Sequence, residues 1–221
     1  RFLLHEVYRV QEQPLPGFAE LTPETVDAVL EGAARMAEDV LFPLNQAGDQ
    51  EGCLYENGVV RTPKGFKEAY RQYVEGGWPA LPFEQEWGGQ GLPKLVATAV
   101  EEMLTSSNMS FSLCPLLTQG AIHALELAGS DALKQAYLGK MIAGRWTGTM
   151  NLTEPQAGSD LALVRSKAVP QGDGTYRISG QKIFITFGEH DMADNIVHLV
   201  LARTPDAPEG VKGISLFIVP K

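Results

Sequence analysis

The residues best equipped for chemistry gather in one short polar loop, Asn151-Leu-Thr-Glu-Pro-Gln-Ala-Gly-Ser-Asp160, where two hydroxyls, two carboxylates and a glycine fall within ten positions. A serine or threonine hydroxyl can donate to a phosphate or carbonyl oxygen, and a glycine lets backbone come close to a bound group. By residue type alone the loop reads as a structural connection around Pro155. The other reactive side chains are dispersed. His5, His123, His190 and His198 are far apart, with His123 expected on a helix, His198 in a strand, and His190 lifted in pKa by its neighbours Glu189 and Asp191. Cys53 and Cys114 are too few and too isolated for a disulfide framework or a zinc site, so no metal is expected. The loop Glu86-Trp-Gly-Gly-Gln-Gly-Leu-Pro93 has the glycines of a turn but not the Lys and Ser/Thr of a phosphate-binding loop.

The elements that must position these residues change character along the chain. From Leu21 to about Lys140 the apolar spacing is helical. Thr22-Pro23-Glu24 supplies a cap, a first-turn proline and an acidic first turn, and Val26, Val29, Leu30, Ala33, Ala37, Val40 and Leu41 follow until Pro43 is expected to stop the helix. Further helices are expected after Thr62-Pro63, over Leu95–Leu104, over Leu116–Ala128 and from Ser130 to about Ile142. After Arg145 the period becomes two: Trp146–Asn151, Leu163–Val169, Thr175–Ser179, Gln181–Thr186, Asn195–Arg203 and Gly213–Val219 read as strands of an antiparallel meander. The expected fold class is α+β, with a helical N-terminal domain over 1–144 and an incomplete, antiparallel, β-barrel-like middle domain over 145–221.

Composition narrows the functional classes. A chain of 221 residues, 44% hydrophobic and 20% charged, is an ordinary globular protein. Its longest apolar runs fall well short of the roughly 20 residues of a membrane-spanning helix, and no signal peptide heads it, so a cytoplasmic location and no membrane partner are expected. Net charge is −9, with no basic stripe for nucleic acid. The acidity belongs to residues 1–160; the last 61 residues carry 7 basic against 6 acidic side chains and repel a polyanionic ligand less. Arg1 in place of a methionine, and Lys221 directly after an apolar run, make both ends look like cut points.

The stretch Leu152-Thr153-Glu154 followed by Ala157-Gly158-Ser159-Asp160 resembles the signature of acyl-CoA dehydrogenases. Gly180-Gln-Lys-Ile-Phe-Ile-Thr186 is similar to that family's second flavin-facing strand, Tyr176–Ser179 to the strand leading into it, and Trp87-Gly-Gly-Gln-Gly91 to a loop of its helical domain. Arg1–Val7, Pro43–Asp49, Gly76-Gly77-Trp78 and Gly188–Asp191 resemble the longer bacterial branch that includes 3-methylmercaptopropionyl-CoA dehydrogenases. The resemblance implies FAD as cofactor and an acyl-CoA thioester as substrate. It also implies an electron-transfer flavoprotein as acceptor, a homo-oligomer, and a place in fatty acid metabolism. Met150, Leu152 and Thr153 would meet the pyrimidine edge of the flavin, where negative charge collects on reduction. Phe184 would lie against the flavin, Thr186 near N5, and Ser159 against the flavin pyrophosphate or the acyl-CoA.

The match is not complete: Asn151 stands where a small residue is usual, Leu163 where Gly, Ser or Ala is usual, and Phe184 where many members carry Trp. No catalytic base is assigned within these residues. The family carries that carboxylate on a second helical domain, absent here, and Glu154 belongs to the signature rather than to the base position. The expected reaction of the complete parent is α,β-dehydrogenation of an acyl-CoA. The alternatives are an acyl-CoA oxidase or flavin monooxygenase relative, or a truncated binding module without activity of its own.

Overall fold

The computed structural model describes residues 1–15, 17–18 and 20–221. Thr22 opens the first long helix as its type dictates. Its hydroxyl accepts the Thr25 N–H at 3.2 Å, and Pro23 takes the first helical position, where no N–H is needed. Helix α1 (Pro23–Arg35) then runs into a π-helical turn at Met36–Leu41 and on into α2 (Phe42–Glu51). Pro43 therefore does not stop the helix. The wide turn closes with the Phe42 N–H on the Ala37 carbonyl, so Pro43 falls in the first turn of α2, where its missing donor costs nothing.

A hairpin of β1 (Leu54–Glu56) and β2 (Val59–Arg61) follows, turned by Asn57 (φ 52°) and Gly58 (φ 82°). Asn-Gly with both residues left-handed is the signature of the tight turn that suits strand twist. Next come α3 (Phe66–Glu75), α4 (Lys94–Ser107), α5 (Met109–Ala128) and α6 (Asp131–Ile142). Asn108 separates α4 from α5. Its Oδ1 accepts the Phe111 N–H at 3.0 Å while its Nδ2 donates to the Leu41 carbonyl at 3.1 Å, pinning the start of α5 to the end of the π-turn.

Two cores share α5. On one side Phe111 and Cys114 join Ala37, Leu41, Phe66, Tyr70, Tyr73 and Leu104. On the other, Ala121, Ile122 and Leu125 meet Leu138, Met141 and Ile142 of α6 and Val197 and Leu199 from the sheet. Each large apolar side chain so enclosed contributes about 1.5–3 kcal/mol, which makes α5 the spine on which the β region is seated. Tyr70 of α3 adds a buried bond, its hydroxyl donating to the Gly144 carbonyl at 2.9 Å, immediately before the first strand of that region.

That strand, β3 (Trp146–Asn151), pairs with β6 (Asn195–Ala202) in parallel, Trp146 opposite Asn195 and Asn151 opposite Val200. On the other edge of β6 lies β7 (Ser215–Pro220), antiparallel. Strands β4 (Lys167–Pro170) and β5 (Tyr176–Ser179) form a separate antiparallel hairpin, joined to the end of β6 where the Ala168 N–H reaches the Arg203 carbonyl at 2.8 Å. The expected fully antiparallel meander is thus corrected to a small mixed arrangement that does not close. Alternation reports which side chains are covered; it is silent on strand direction, and the long connection from β3 to β6 is what permits a parallel crossover.

The expected strand at Gln181–Thr186 is not formed. Phe184 (φ 56°) and Phe187 (φ 51°) both turn left-handed, and the Gly188 N–H closes a turn on the Ile185 carbonyl at 3.0 Å. A period-two run of β-branched and aromatic residues needs a partner strand, and this one leaves the sheet instead.

Candidate functional site

Strand β3 is held against α5 at one point of close approach. The Gly148 N–H donates to Thr118 Oγ1 at 3.0 Å, and a Cβ at Gly148 would stand 2.6 Å from the Ala121 Cβ and 3.0 Å from Met141 Cε. Only a residue without a side chain allows helix and strand to meet this closely. The seat matters because β3 runs straight into the loop 152–160. On either side of Gly148, Thr147 Oγ1 lies 2.9 Å from His190 Nε2, and Thr149 Oγ1 lies 2.7 Å from His198 Nδ1.

The loop is organised by Glu154, whose carboxylate is 3% exposed and fully engaged. It accepts from Lys182 Nζ at 2.8 Å, Gln156 Nε2 at 2.6 Å, and the Arg165 and Ser166 N–H groups at 2.8 and 3.0 Å. Burial alone would raise its pKa. The Lys182 ammonium, Ser166 and the two backbone donors outweigh that and hold it down at about 2. An ionised carboxylate with every acceptor site occupied does not take up a proton near neutral pH, which removes Glu154 as a general base on grounds the sequence could not supply.

Lys182 joins this loop to the segment 181–187. Its ammonium donates to the Leu152 carbonyl at 3.0 Å as well as to Glu154, and the Ile183 N–H donates to the Thr153 carbonyl at 3.0 Å. The structure therefore brings together Leu152 and Thr153 from one segment and, one residue beyond Ile183, Phe184 from the other. Thr186 follows on the exposed turn, and Met150 lies half-buried near the end of β3. Phe184 is 89% exposed, which rules out an ordinary sheet-core aromatic. Ser159 is exposed on the far limb of the loop, beside Gly158, where a Cβ would meet nothing within 4 Å. That far limb is braced from below by Arg203, which donates to the Val164 carbonyl at 2.7 Å and the Ala162 carbonyl at 2.8 Å.

Sequence reasoning missed Lys182 and Arg203 as organisers. The available signal for Lys182 was a lone cation at the head of the apolar run Ile183–Ile185, two positions before Phe184. His190 also needs correction. It is buried, its Nδ1 accepts the Met192 N–H at 3.1 Å, and burial pushes its pKa down to about 4 despite Glu189 and Asp191. The expected upward shift counted neighbours in the sequence and omitted desolvation.

The donor set suits a planar, phosphate-bearing group. Among the described residues, the hydroxyls of Thr153, Ser159 and Thr186 have no hydrogen-bond partner within the protein, and the Phe184 ring is uncovered, one residue along from the Ile183 N–H that reaches the Thr153 carbonyl. No group of three or more His, Cys, Asp or Glu is placed to hold a metal ion, and no helix is long and apolar enough to cross a membrane, again among the described residues.

What these features define is a helical bundle carrying a small sheet, with two clasped loops that present open hydroxyls and one bare aromatic ring. The chain belongs to the acyl-CoA dehydrogenase family: residues 23–145 match the acyl-CoA dehydrogenase N-terminal domain and residues 149–221 the acyl-CoA dehydrogenase middle domain. It is 59% identical over 211 residues to a 3-methylmercaptopropionyl-CoA dehydrogenase of Ruegeria pomeroyi, a match covering 96% of this chain and 36% of that protein. Its fold superposes on butyryl-CoA dehydrogenase from Megasphaera elsdenii with a TM-score of 0.73 at 26% identity, over 90% of this chain and 49% of the other. It superposes on the FAD complex of PigA with a TM-score of 0.70 at 27% identity, over 91% of this chain and 49% of the other. The chain spans about a third of the length of the first curated relatives it matches.

Proposed function

We propose that this chain forms the flavin and thioester face of an FAD-dependent acyl-CoA dehydrogenase that desaturates the Cα–Cβ bond of its substrate. The observation that carries this reading is the clasp between Leu152–Glu154 and Lys182–Ile183, which ties the Thr153 backbone to the residue next to Phe184, whose ring is exposed. In this reading residues 1–144 are the helical domain and 145–221 the β domain. FAD, when bound, supplies the acceptor for the hydride leaving Cβ. Main-chain groups at Met150 and Leu152 and the Thr153 hydroxyl hold its electron-rich edge, where fixed donors stabilise charge without having to reorganise. Phe184 covers the ring, Thr186 donates beside it, and Ser159 holds the pyrophosphate or the acyl-CoA. The carboxylate that takes the α proton lies outside these residues, since Glu154 is spent on the clasp. An electron-transfer flavoprotein takes the electrons onward, and the working protein is a homo-oligomer.

Anaerobic mixing of the purified, flavin-loaded full-length parent, the form proposed to carry the base, with butyryl-CoA or 3-methylmercaptopropionyl-CoA tests this. Flavin bleaching, followed by slow reoxidation on admission of air, is the expected result. Rapid peroxide formation would assign an oxidase instead, and a protein that retains no flavin would overturn the reading.

A further inference from the structure

Lys182 is an unusual place for a cation. Its side chain is 10% exposed, and its ammonium is shared between one carboxylate oxygen of Glu154 and the main-chain carbonyl of Leu152. A salt bridge to a carboxylate already held by Gln156, Arg165 and Ser166 adds little that a neutral packed residue would not, because desolvating the pair offsets much of its attraction. The bond to Leu152 is different in kind. The carbonyl it engages belongs to the same peptide unit as the Thr153 N–H, and a cation on the oxygen of an amide draws electron density toward it. The N–H at the other end becomes a stronger donor, as in any chain of polarised hydrogen bonds. Meanwhile the backbone of the next residue, Ile183, donates to the Thr153 carbonyl, so one short segment grips both peptide units around Thr153.

The geometry points to Lys182 as a positioning and tuning residue of the flavin site, acting through the Leu152–Thr153 peptide to strengthen donation to the reduced cofactor, with Glu154 moderating its charge. Lys182 is not a catalytic residue in this account; the inference rests on the flavin-edge reading given above and adds to its Thr153 hydroxyl the Thr153 N–H as a second donor. The two carboxylate and ammonium partners pull in opposite senses. Removing the ammonium weakens the Thr153 donor; neutralising the carboxylate leaves the ammonium less compensated and strengthens it.

The test is the midpoint potential of the bound flavin, together with its dissociation constant, in Lys182→Met, Lys182→Arg and Glu154→Gln. Lys182→Met is expected to bind reduced flavin about tenfold less well relative to oxidised flavin, a fall of about 30 mV for a two-electron couple. Glu154→Gln, which keeps the side chain's shape, is expected to raise the potential, and Lys182→Arg to restore most of the wild-type value. A site merely loosened by mutation would move Met and Gln variants the same way, so shifts of the same sign, or none, overturn the inference. If Lys182→Met does not fold, the signs for Glu154→Gln and Lys182→Arg against wild type still decide it. Failure of wild-type protein to hold flavin would instead sink the functional reading itself.

Discussion

Placing a single methyl group at Gly148 interrogates the seat of β3 on α5. An ideal Cβ there would stand 2.6 Å from Ala121 Cβ, 3.0 Å from Met141 Cε and 3.3 Å from Thr118 Cα. Carbon atoms settle at about 3.5–4.0 Å, so relief requires helix and strand to part by roughly 1 Å. Met141 has a flexible end that can give, but Ala121 and Thr118 present backbone and a first side-chain carbon that cannot. Overpacking of this kind costs about 1–3 kcal/mol. Parting by that distance also stretches the 3.0 Å bond from Gly148 N–H to Thr118 Oγ1, which removes about 1 kcal/mol more. Gly148→Ala is therefore expected to lose about 2–4 kcal/mol, and at about 2–4 °C per kcal/mol for a chain of this size its Tm falls by roughly 4–16 °C. Calorimetry gives that value. Because Met150–Thr153 continue from the displaced strand, flavin affinity should fall in parallel. The diagnostic partner is Ala121→Gly, which deletes the clashing carbon. In the double variant the two losses should fail to add by about 2 kcal/mol, since residues in contact couple by amounts of this order. A Gly148→Ala protein that melts within 2 °C of wild type, or a double variant whose losses simply add, would refute this account of the seat.

Two other perturbations bear on the same region. His190 has a folded pKa near 4 against an ordinary 6.5, because burial opposes its charge; Glu189 and Asp191 pull it up, while Lys221 and the nearby His198 push it down. A base depressed by folding contributes stability that is complete above pH 6.5 and drains as pH falls toward 4, about 3 kcal/mol at about 1.4 kcal/mol per pH unit. Melting curves from pH 7.5 to 4 should steepen through that window in wild type and flatten in His190→Asn; identical slopes would exclude His190 as the source. Phe184→Gly relieves a left-handed backbone (φ 56°) while removing a side chain that is 89% exposed. Strain of about 1–2 kcal/mol is released and a flexible unfolded state claims about half of it back. The apoprotein should be as stable as wild type or slightly more so in denaturant titration, yet bind FAD at least tenfold more weakly. A loss of more than about 2 kcal/mol would mean that Phe184 packs against the protein after all.

The parts of the fold written in local chemistry were legible. Thr22-Pro23 marked the start of α1, Gly129 and Ser130-Asp131 separated α5 from α6, and the change from helical to alternating spacing after Arg145 fell where the strands begin. Asn57-Gly58 was an equally local signal and was passed over, although its two left-handed residues turn the β1–β2 hairpin. What sequence could not carry was anything decided by a partner distant along the chain. Strand direction in β3–β6, the departure of 181–186 from the sheet, and the sign of the His190 shift all depend on contacts across 28 or more positions. The candidate site divides the same way: its open hydroxyls were named from a motif, whereas the Lys182–Glu154 clasp that sets them was visible only once the two segments lay together.

The parallel pairing of β3 with β6 has a consequence for inheritance. Everything from residue 152 to 194, including both clasped loops and the β4–β5 hairpin, leaves from the end of one strand and returns to the start of its immediate neighbour. Such an excursion is a cassette: its two splice points are fixed by one rigid pair of strands, and that pair is fixed in turn by the bare backbone of Gly148 on α5. Exchange at the bench is bounded by residues 187–193, because Met192 is buried in the helical core beside Phe187 and Ala193 and Asp191 accepts from Thr62, so a graft that leaves the helical mount unaltered keeps that stretch.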